Sequence, residues 1–115
     1  MKTAEQLTQV FNDNFVAYFR SHAAHVNIVG RNFPADHKLL QKVYEDLQGE
    51  IDTLGELLRT IQAYFPLNLN DILRDSGISD DLKPDYGDGL DYIQQVYDDL
   101  EQLIEIHLEL EDVTQ

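Results

Sequence analysis

Two of the four histidines in this chain, His25 and His37, are twelve positions apart across the segment HVNIVGRNFPADH, which contains one glycine and one proline. Further along the chain, Asp52 and Glu56 are four positions apart, which is the spacing of one helical turn. Imidazole and carboxylate groups together suit Fe(II), Mn or Zn better than Ca or Mg. These four side chains are therefore candidate ligands for a transition-metal ion.

A single helix should carry three of the four candidates. Apolar residues recur at helical spacing over residues 40–65, and at about 100° per residue Gln41, Asp52 and Glu56 fall on the same face as His37. His37 and Asp52 are nevertheless fifteen residues apart, which is about 22 Å along the helix axis. One helix cannot bring both of them to one ion.

Two copies of this helix could complete the site. If the helix packs antiparallel against its own copy about a two-fold axis near Asp46 and Leu47, His37 of one chain faces Asp52 and Glu56 of the other. Two symmetric sites, each shared between two chains, would result.

The elements that position these residues are predicted to be helices. Because no alternating strand pattern is present, the fold is expected to be all-α. A first helix should end near Gly30, and a tight turn there would return the chain antiparallel so that His25 reaches His37. The second helix should have Pro34 in its first turn and should end at Pro66.

The second half of the chain predicts two more helices. The piece NDILRDSG, residues 70–77, predicts a short helix capped by Asn70, and a third long helix should run from Leu90 onward. Such a set of helices exposes an apolar groove, which predicts self-association or a missing fourth helix. Gly49 and Gly55 lie inside the second helix, where each costs about 1 kcal/mol relative to Ala, so we expect another helix to approach closely on their side.

Each candidate ligand also has a purely structural interpretation. His25 could be a hydrogen-bonded core histidine, since buried polar groups are normally satisfied. Asp52 and Glu56 could be an acidic pair on a solvated face, because the chain contains 22 Asp and Glu residues. Four other polar residues have no partner that the sequence identifies and are expected to be surface or core residues: His22, His107, Asp98 and Asp99.

Composition restricts the class of protein. The 115 residues suffice for one domain, and a net charge of -14 without a basic arm disfavours direct binding to nucleic acid. The absence of cysteine excludes disulfides and thiolate metal sites. No apolar run approaches the roughly 20 residues needed to cross a bilayer, and the N-terminus lacks a signal peptide's apolar region. We therefore expect a soluble, cytoplasmic protein without a membrane partner.

The run HAAHVNIVGRNFPADHKLLQKVYEDLQGEIDTLGEL, residues 22–57, resembles the Dps miniferritins. That family, which belongs to the ferritin-like superfamily, shows His-Trp-Asn, a Gly-x-Asn-Phe turn, a second His and a later Asp-x-x-x-Glu pair. The resemblance extends more weakly from about Ala4 to about Glu111, and so it covers nearly the whole chain.

This resemblance implies a ferritin-like four-helix bundle, with twelve copies in a hollow shell and a ferroxidase centre at each two-fold interface. It implies that His25 and His37 of one subunit, with Asp52 and Glu56 of its two-fold mate, are iron ligands and the catalytic residues. The implied reaction is oxidation of Fe(II), preferably by hydrogen peroxide, followed by storage of ferric mineral. Zinc or manganese could take the place of iron at such a site.

The chain departs from the family pattern at several positions. Gln41 stands where the family usually has an acidic ligand, Val26 where it usually has a tryptophan, and Leu57 where an arginine commonly follows the glutamate. Tyr18 and Tyr44 are expected to pack in the core, with a redox role as the alternative. The sequence stops at LELEDVTQ, where the family's last helix would follow, so residues 1–115 are expected to form one ferritin-like domain that is incomplete at its C-terminus.

Two functions follow from these observations. The leading interpretation is a homo-oligomeric Dps-like ferroxidase and iron-storage protein. The alternative is a non-enzymatic ferritin-like structural or interaction module whose metal site has decayed, and Gln41, Val26 and the missing helix favour it. Saturable binding of Fe(II) or Zn that is lost in His37→Ala would support the first, and a stable oligomer that ignores iron would support the second. A monomer with neither property would indicate a third interpretation, in which the similarity is accidental in a generic acidic helical bundle.

Overall fold

Four helices make up the part of the chain that the computed structural model describes, namely residues 2–30, 33–78 and 89–114. They are α1 (Lys2–Asn27), α2 (Phe33–Thr60), α3 (Leu69–Asp75) and α4 (Gly89–Thr114). No strand occurs among these residues, which confirms the prediction of an all-α fold with three long helices and one short helix. None of the described helices is long and apolar enough to span a bilayer.

The central helix is α1, because it packs against α2, α3 and α4 while α2 and α4 scarcely touch each other. Tyr92, near the start of α4, packs with Ala24 in the last turn of α1 and with Ile28 just after it. Leu103, further along α4, belongs to the core cluster that contains Leu7 near the start of α1. Leu40, near the start of α2, belongs to the cluster of Tyr92, and Leu58, near the end of α2, belongs to the cluster of Leu7. Both α2 and α4 therefore run antiparallel to α1.

A short turn joins α1 to α2, as the sequence predicts. α1 ends at Asn27, three residues before the expected Gly30. Gly30 adopts a φ of 125°, a backbone conformation that residues with a side chain rarely adopt. Its carbonyl accepts a hydrogen bond from the Phe33 N–H at 3.2 Å. This turn places the last turn of α1 beside the first turns of α2.

The end of α2 differs from the prediction. α2 ends at Thr60, whereas the sequence predicts an end at Pro66. Gln62 adopts a φ of 65°, and two backbone hydrogen bonds close the helix: Ala63 N–H donates to the Leu58 carbonyl at 2.9 Å, and Gln62 N–H donates to the Arg59 carbonyl at 3.0 Å. This pattern is a Schellman motif with a non-glycine residue in the left-handed position. The apolar spacing continues past Thr60 because Phe65, although it lies beyond the helix, still packs on the core ring of Phe11 with centroids 4.6 Å apart.

The short helix α3 also begins earlier than predicted. Its N-cap is Asn68 rather than Asn70, and its far end is tied to α1 by the buried carboxylate of Asp13. Oδ1 of Asp13 accepts hydrogen bonds from Ser76 Oγ at 2.8 Å and from the Gly77 N–H at 2.7 Å. These bonds fix the connection that follows α2 against the start of the bundle.

A buried ion pair joins α1 to α4. Nε of Arg20 donates to Oδ2 of Asp99 at 2.8 Å, and Gln95 Nε2 donates to Oδ1 of the same carboxylate at 3.4 Å. Burial raises the pKa of Asp99 above its ordinary value, although the hydrogen bond and the charge of Arg20 act in the opposite direction. The bundle thus contains a charged tie in its interior, which the spacing of the apolar residues did not indicate.

Candidate metal centre

His25 and His37, called the histidine pair below, hold each other in place. Nδ1 of His25 lies 2.7 Å from the carbonyl oxygen of His37, and Nδ1 of His37 lies 2.9 Å from the carbonyl oxygen of His25. Since a carbonyl oxygen can only accept, each Nδ1 must carry a proton and donate it. In the neutral rings Nε2 therefore keeps its lone pair, which is the atom and tautomer that bind a metal ion.

The position of His37 explains this arrangement locally. His25 lies in the last turn of α1, where the final backbone carbonyls have no partner within the helix. His37, in the second turn of α2, supplies an N–H to one of them. His25 is 8% exposed, so it is a buried histidine whose Nδ1 is hydrogen-bonded. Its other ring nitrogen, Nε2, can still serve as a ligand. The structural and the metal-binding interpretations of His25 are thus compatible.

Four more rings surround the histidine pair, whose own rings stack with centroids 3.6 Å apart. Their contacts are as follows: Phe33 stacks on His37 at 4.9 Å, Tyr44 meets His25 edge-on at 5.1 Å, His22 stacks on Tyr44 at 4.0 Å, and the Tyr18 hydroxyl lies 3.0 Å from Nδ1 of His22. Tyr18 and Tyr44 are half-buried in this stack. The rings limit the freedom of both imidazoles, and the signal for them is the spacing of Phe33 and Tyr44 four before and seven after His37.

The two candidate carboxylates lie at the other end of α2, in an open pocket. The pocket, called the carboxylate pocket below, is lined by Asp52, Gly55, Glu56, Arg59, Thr60 and Phe65. Both Asp52 and Glu56 are exposed, and no described residue donates a hydrogen bond to either carboxylate. Arg59 turns its guanidinium toward the loop, where Nη1 donates to the Ala63 carbonyl at 3.1 Å. Both carboxylates are therefore accessible to a ligand from outside the chain.

Gly55 lines this pocket, and the ring of Phe65 covers it. A Cβ atom at Gly55 would lie 2.7 Å from Cδ2 and 3.0 Å from Cε2 of Phe65. The close approach expected on this side is thus made by the Phe65 ring and not by another helix. At Gly49 the expectation is wrong within this chain, since an added Cβ would meet nothing within 4 Å.

Within one chain, the two halves of the predicted site lie far apart. The fifteen residues between His37 and Asp52 are continuous helix in α2, which puts the histidine pair about 22 Å from the carboxylate pocket. In the described ranges no group of three or more His, Asp or Glu side chains is arranged to hold a metal ion. The separation expected from the sequence therefore holds in the structure.

The residues that depart from the family pattern are all on the surface. Gln41 is exposed and its amide donates to Glu45 at 2.9 Å, while Val26 and Leu57 are exposed apolar side chains. The polar residues for which the sequence identified no partner divide between surface and core: His107 and Asp98 are exposed, His22 is half-buried in the ring stack, and Asp99 is buried.

A family comparison covers nearly the whole chain. The model of the ferritin-like domain matches residues 4–115. Among curated proteins, Antigen TpF1 of Treponema pallidum (strain Nichols) is 34% identical over 77 residues, and Antigen TyF1 of Treponema pallidum subsp. pertenue is 32% identical over 77 residues. Each alignment covers 67% of this chain, and the chain spans 44% of the length of either antigen.

Solved structures show the same fold. The Dps protein of Vibrio cholerae O1, described as a member of a broad superfamily of ferritin-like diiron-carboxylate proteins, superposes with a TM-score of 0.87 at 27% identity, covering 95% of this chain and 67% of that one. Dps from Listeria monocytogenes superposes with a TM-score of 0.88 at 20% identity, covering 97% and 73% respectively. These matches agree with a bundle built from α1, α2 and α4.

Proposed function

We propose, from the premise that this chain belongs to the ferritin-like domain family, that it takes up Fe(II) as a substrate and oxidises it at sites shared between two copies of the chain. The histidine pair of one copy and the carboxylate pocket of the other form each site. The observation that carries the proposal is the reciprocal hydrogen bonding of His25 and His37, which leaves both Nε2 atoms available.

The histidine pair supplies neutral nitrogen ligands at fixed positions. Because each Nδ1 is committed to a backbone carbonyl, neither ring needs to change tautomer or rotate when a ferrous ion arrives. This preorganisation lowers the entropic cost of binding. The donor set fits the ion, since imidazole nitrogen and carboxylate oxygen are both ligands that Fe(II) accepts.

The carboxylate pocket supplies negative charge. Asp52 and Glu56 lie one turn apart on an exposed face of α2, so a partner chain can bring its histidines to them without first breaking an internal hydrogen bond. Anionic oxygen ligands stabilise Fe(III) more than Fe(II), which favours loss of an electron to an oxidant. We expect hydrogen peroxide to be that oxidant: it accepts one electron from each of two ferrous ions and leaves as water after taking up two protons.

A two-fold dimer is part of this proposal. α2 packed antiparallel on its own copy about an axis near Asp46 and Leu47 would place residue 37 of one chain opposite residues 52 and 56 of the other. The net charge of -14 also fits a protein that collects cations. Retention of the oxidised iron as a mineral would require assembly beyond the dimer.

Complementation between two inactive variants tests both the ligands and the sharing of sites. Fe(II) oxidation after anaerobic addition of peroxide is followed by stopped-flow absorbance for the natural chain, His37→Ala, Asp52→Ala/Glu56→Ala, and the two variants unfolded and refolded together. Each variant alone should lose oxidation, because every site lacks one half. The mixture should recover about a quarter of the activity, since half of the dimers are mixed and each of those has one complete site.

The matched control is Asp91→Ala/Asp98→Ala, which removes the same charge from exposed positions on α4 and should leave the rate unchanged. Sites formed within one chain would give no recovery in the mixture, and that result contradicts the sharing of ligands. Oxidation by the natural chain that only equals the protein-free rate contradicts the ferroxidase and leaves the non-enzymatic bundle as the function.

A further inference from the structure

A positive charge lies beside the two acids of the carboxylate pocket. Arg59 lines this pocket together with Asp52 and Glu56, and it follows Glu56 by three residues on α2. Side chains three positions apart on a helix are neighbours, so an arginine and a glutamate at this spacing can form an ion pair. Such a pair would compete with any entering cation for the carboxylate of Glu56.

The same spacing does produce an ion pair elsewhere in the chain. On α3, Arg74 follows Asp71 by three residues, and its Nη1 lies 3.0 Å from Oδ1 of Asp71. Both arginines lie in the last turn of their helices. Among the residues that the structure describes, however, Arg59 pairs with neither Asp52 nor Glu56. Spacing alone therefore does not explain the position of Arg59.

The guanidinium of Arg59 has two other partners, both of which follow the end of α2. Its Nη1 donates to the Ala63 carbonyl at 3.1 Å. Its Cζ lies 4.8 Å from the centroid of the Tyr64 ring, which is within the range of a cation–π contact. Gln62, in the left-handed region, turns the chain back directly before these two residues. The turn after α2 thus gives Arg59 partners other than the acids.

We propose that Tyr64 is a positioning residue that keeps Arg59 from pairing with Glu56, so that both acids of the carboxylate pocket keep their negative charge for a cation. This role rests on the proposed function, in which Asp52 and Glu56 bind a ferrous ion together with the histidine pair of a second copy. The ring is free to act in this way because Tyr64 is 74% exposed and contributes little to the core.

Loss of the Tyr64 ring has a defined electrostatic consequence. A cation–π contact at an exposed site and an exposed ion pair are of similar strength, so removal of one partner is enough to shift Arg59 toward the other. Arg59 turned toward Glu56 would occupy a ligand and would repel a divalent ion at close range. Because exposed ion pairs are weak, the expected result is weaker metal binding rather than its complete loss.

Isothermal titration calorimetry with Co(II) measures this effect without any oxidation, since Co(II) takes the same nitrogen and oxygen ligands as Fe(II). Tyr64→Ala should raise the dissociation constant about three- to tenfold. Tyr64→Phe retains a ring for the guanidinium and should bind Co(II) as the natural chain does. The matched control is Leu67→Ala, which shortens a side chain of the same loop that is 85% exposed and should leave the dissociation constant unchanged.

Removal of the arginine separates positioning from a general loosening of the loop. In Arg59→Met no cation remains to be positioned, so adding Tyr64→Ala to that variant should change the dissociation constant by less than about twofold. Salt gives a second readout. The ratio of dissociation constants between Tyr64→Ala and the natural chain should shrink from about 0.05 M to about 0.5 M NaCl, because exposed charges are screened.

The outcomes distinguish the role of Tyr64 from the proposed function. A natural chain that does not bind Co(II) contradicts the shared metal site and, with it, the role of Tyr64. Binding of Co(II) by the natural chain and equally well by Tyr64→Ala overturns the positioning role alone. An equal loss in Tyr64→Ala with and without Arg59→Met also overturns it, because the ring would then act through the fold of the loop. Circular dichroism and light scattering verify that each variant has the fold and the oligomeric state of the natural chain.

Discussion

The two ends of α2 carry the two halves of the candidate site, and they differ in how much of their geometry one chain completes. At the histidine end, both Nδ1 atoms are bonded to backbone carbonyls and the rings stack at 3.6 Å. At the other end, Asp52 and Glu56 are exposed in an open pocket. The bundle itself orients the nitrogen ligands, whereas the carboxylates would be oriented only by what they bind.

This difference follows from the neighbours of each end. The first turns of α2 lie against the last turn of α1, where unpaired carbonyls are available to accept hydrogen bonds. The last turns of α2 face a loop, and the contribution from that side is the Phe65 ring over Gly55. Substitutions at the histidine end should therefore change the free energy of unfolding more than substitutions at the carboxylate end.

The largest expected effect lies at the tie between α1 and α4, whose Arg20 precedes His25 by five residues on α1. Arg20→Met should lower the free energy of unfolding by about 3–5 kcal/mol, because it leaves the carboxylate of Asp99 buried without its cation. Urea denaturation followed by circular dichroism at one protein concentration measures this. Lys42→Met is the matched control: it breaks an ion pair whose Lys42 side chain is 74% exposed and should change stability by less than about 1 kcal/mol.

The same variant has a pH dependence of defined sign. Because burial raises the pKa of Asp99, the folded state holds its proton at pH values where the unfolded chain has released it. The stability that this group contributes is present below its unfolded pKa and is lost as pH rises through the folded pKa. Arg20→Met removes the opposing charge, so its deficit should be smaller at about pH 5 than at about pH 8. A deficit that grows on acidification would contradict this account.

A smaller effect is expected at the histidine pair itself. His37→Ala removes a ring from the stack and leaves the His25 carbonyl without its donor, which should cost about 1–2 kcal/mol. Asp52→Ala, on an exposed turn of the same helix, should change the free energy of unfolding by less than about 0.5 kcal/mol. The same urea experiment compares them. Equal losses of unfolding free energy in the two variants would contradict the proposed difference between the two ends of α2.

Features that depend on residues close together in the sequence could be predicted, and features that depend on contacts between distant residues could not. The helices follow from local spacing, and the twelve residues between His25 and His37, with Gly30 between them, indicate that adjacent antiparallel helices meet there. The reciprocal hydrogen bonds could not be predicted, because they depend on the register of α1 against α2 to within one residue. The carboxylates share a face by helical geometry alone, so their place on α2 was predictable.

Three features depend on contacts that no local pattern reveals. The Arg20–Asp99 pair joins residues 79 positions apart, and each residue alone is typical of a surface. The end of α2 at Thr60 depends on Gln62 in the left-handed region, where glycine or asparagine would have been the signal. Phe65 covers Gly55 only because the chain turns back after that end.

The two glycines of α2 provide the smallest and most local test of the comparison. Gly49 is exposed, with open space where a Cβ would lie, so Gly49→Ala should stabilise the chain by about 0.5–1 kcal/mol through helix propensity. Gly55→Ala gains the same propensity, but its methyl would overlap the Phe65 ring, and displacing that ring should cancel the gain or reverse it by about 1 kcal/mol. Phe65→Ala removes the obstacle, so adding Gly55→Ala to that variant should be stabilising, and the coupling between the two substitutions measures the contact. Identical gains at Gly49 and Gly55 in the natural chain would mean that Phe65 leaves the pocket freely, and that the carboxylate end is more open than its one covering ring suggests.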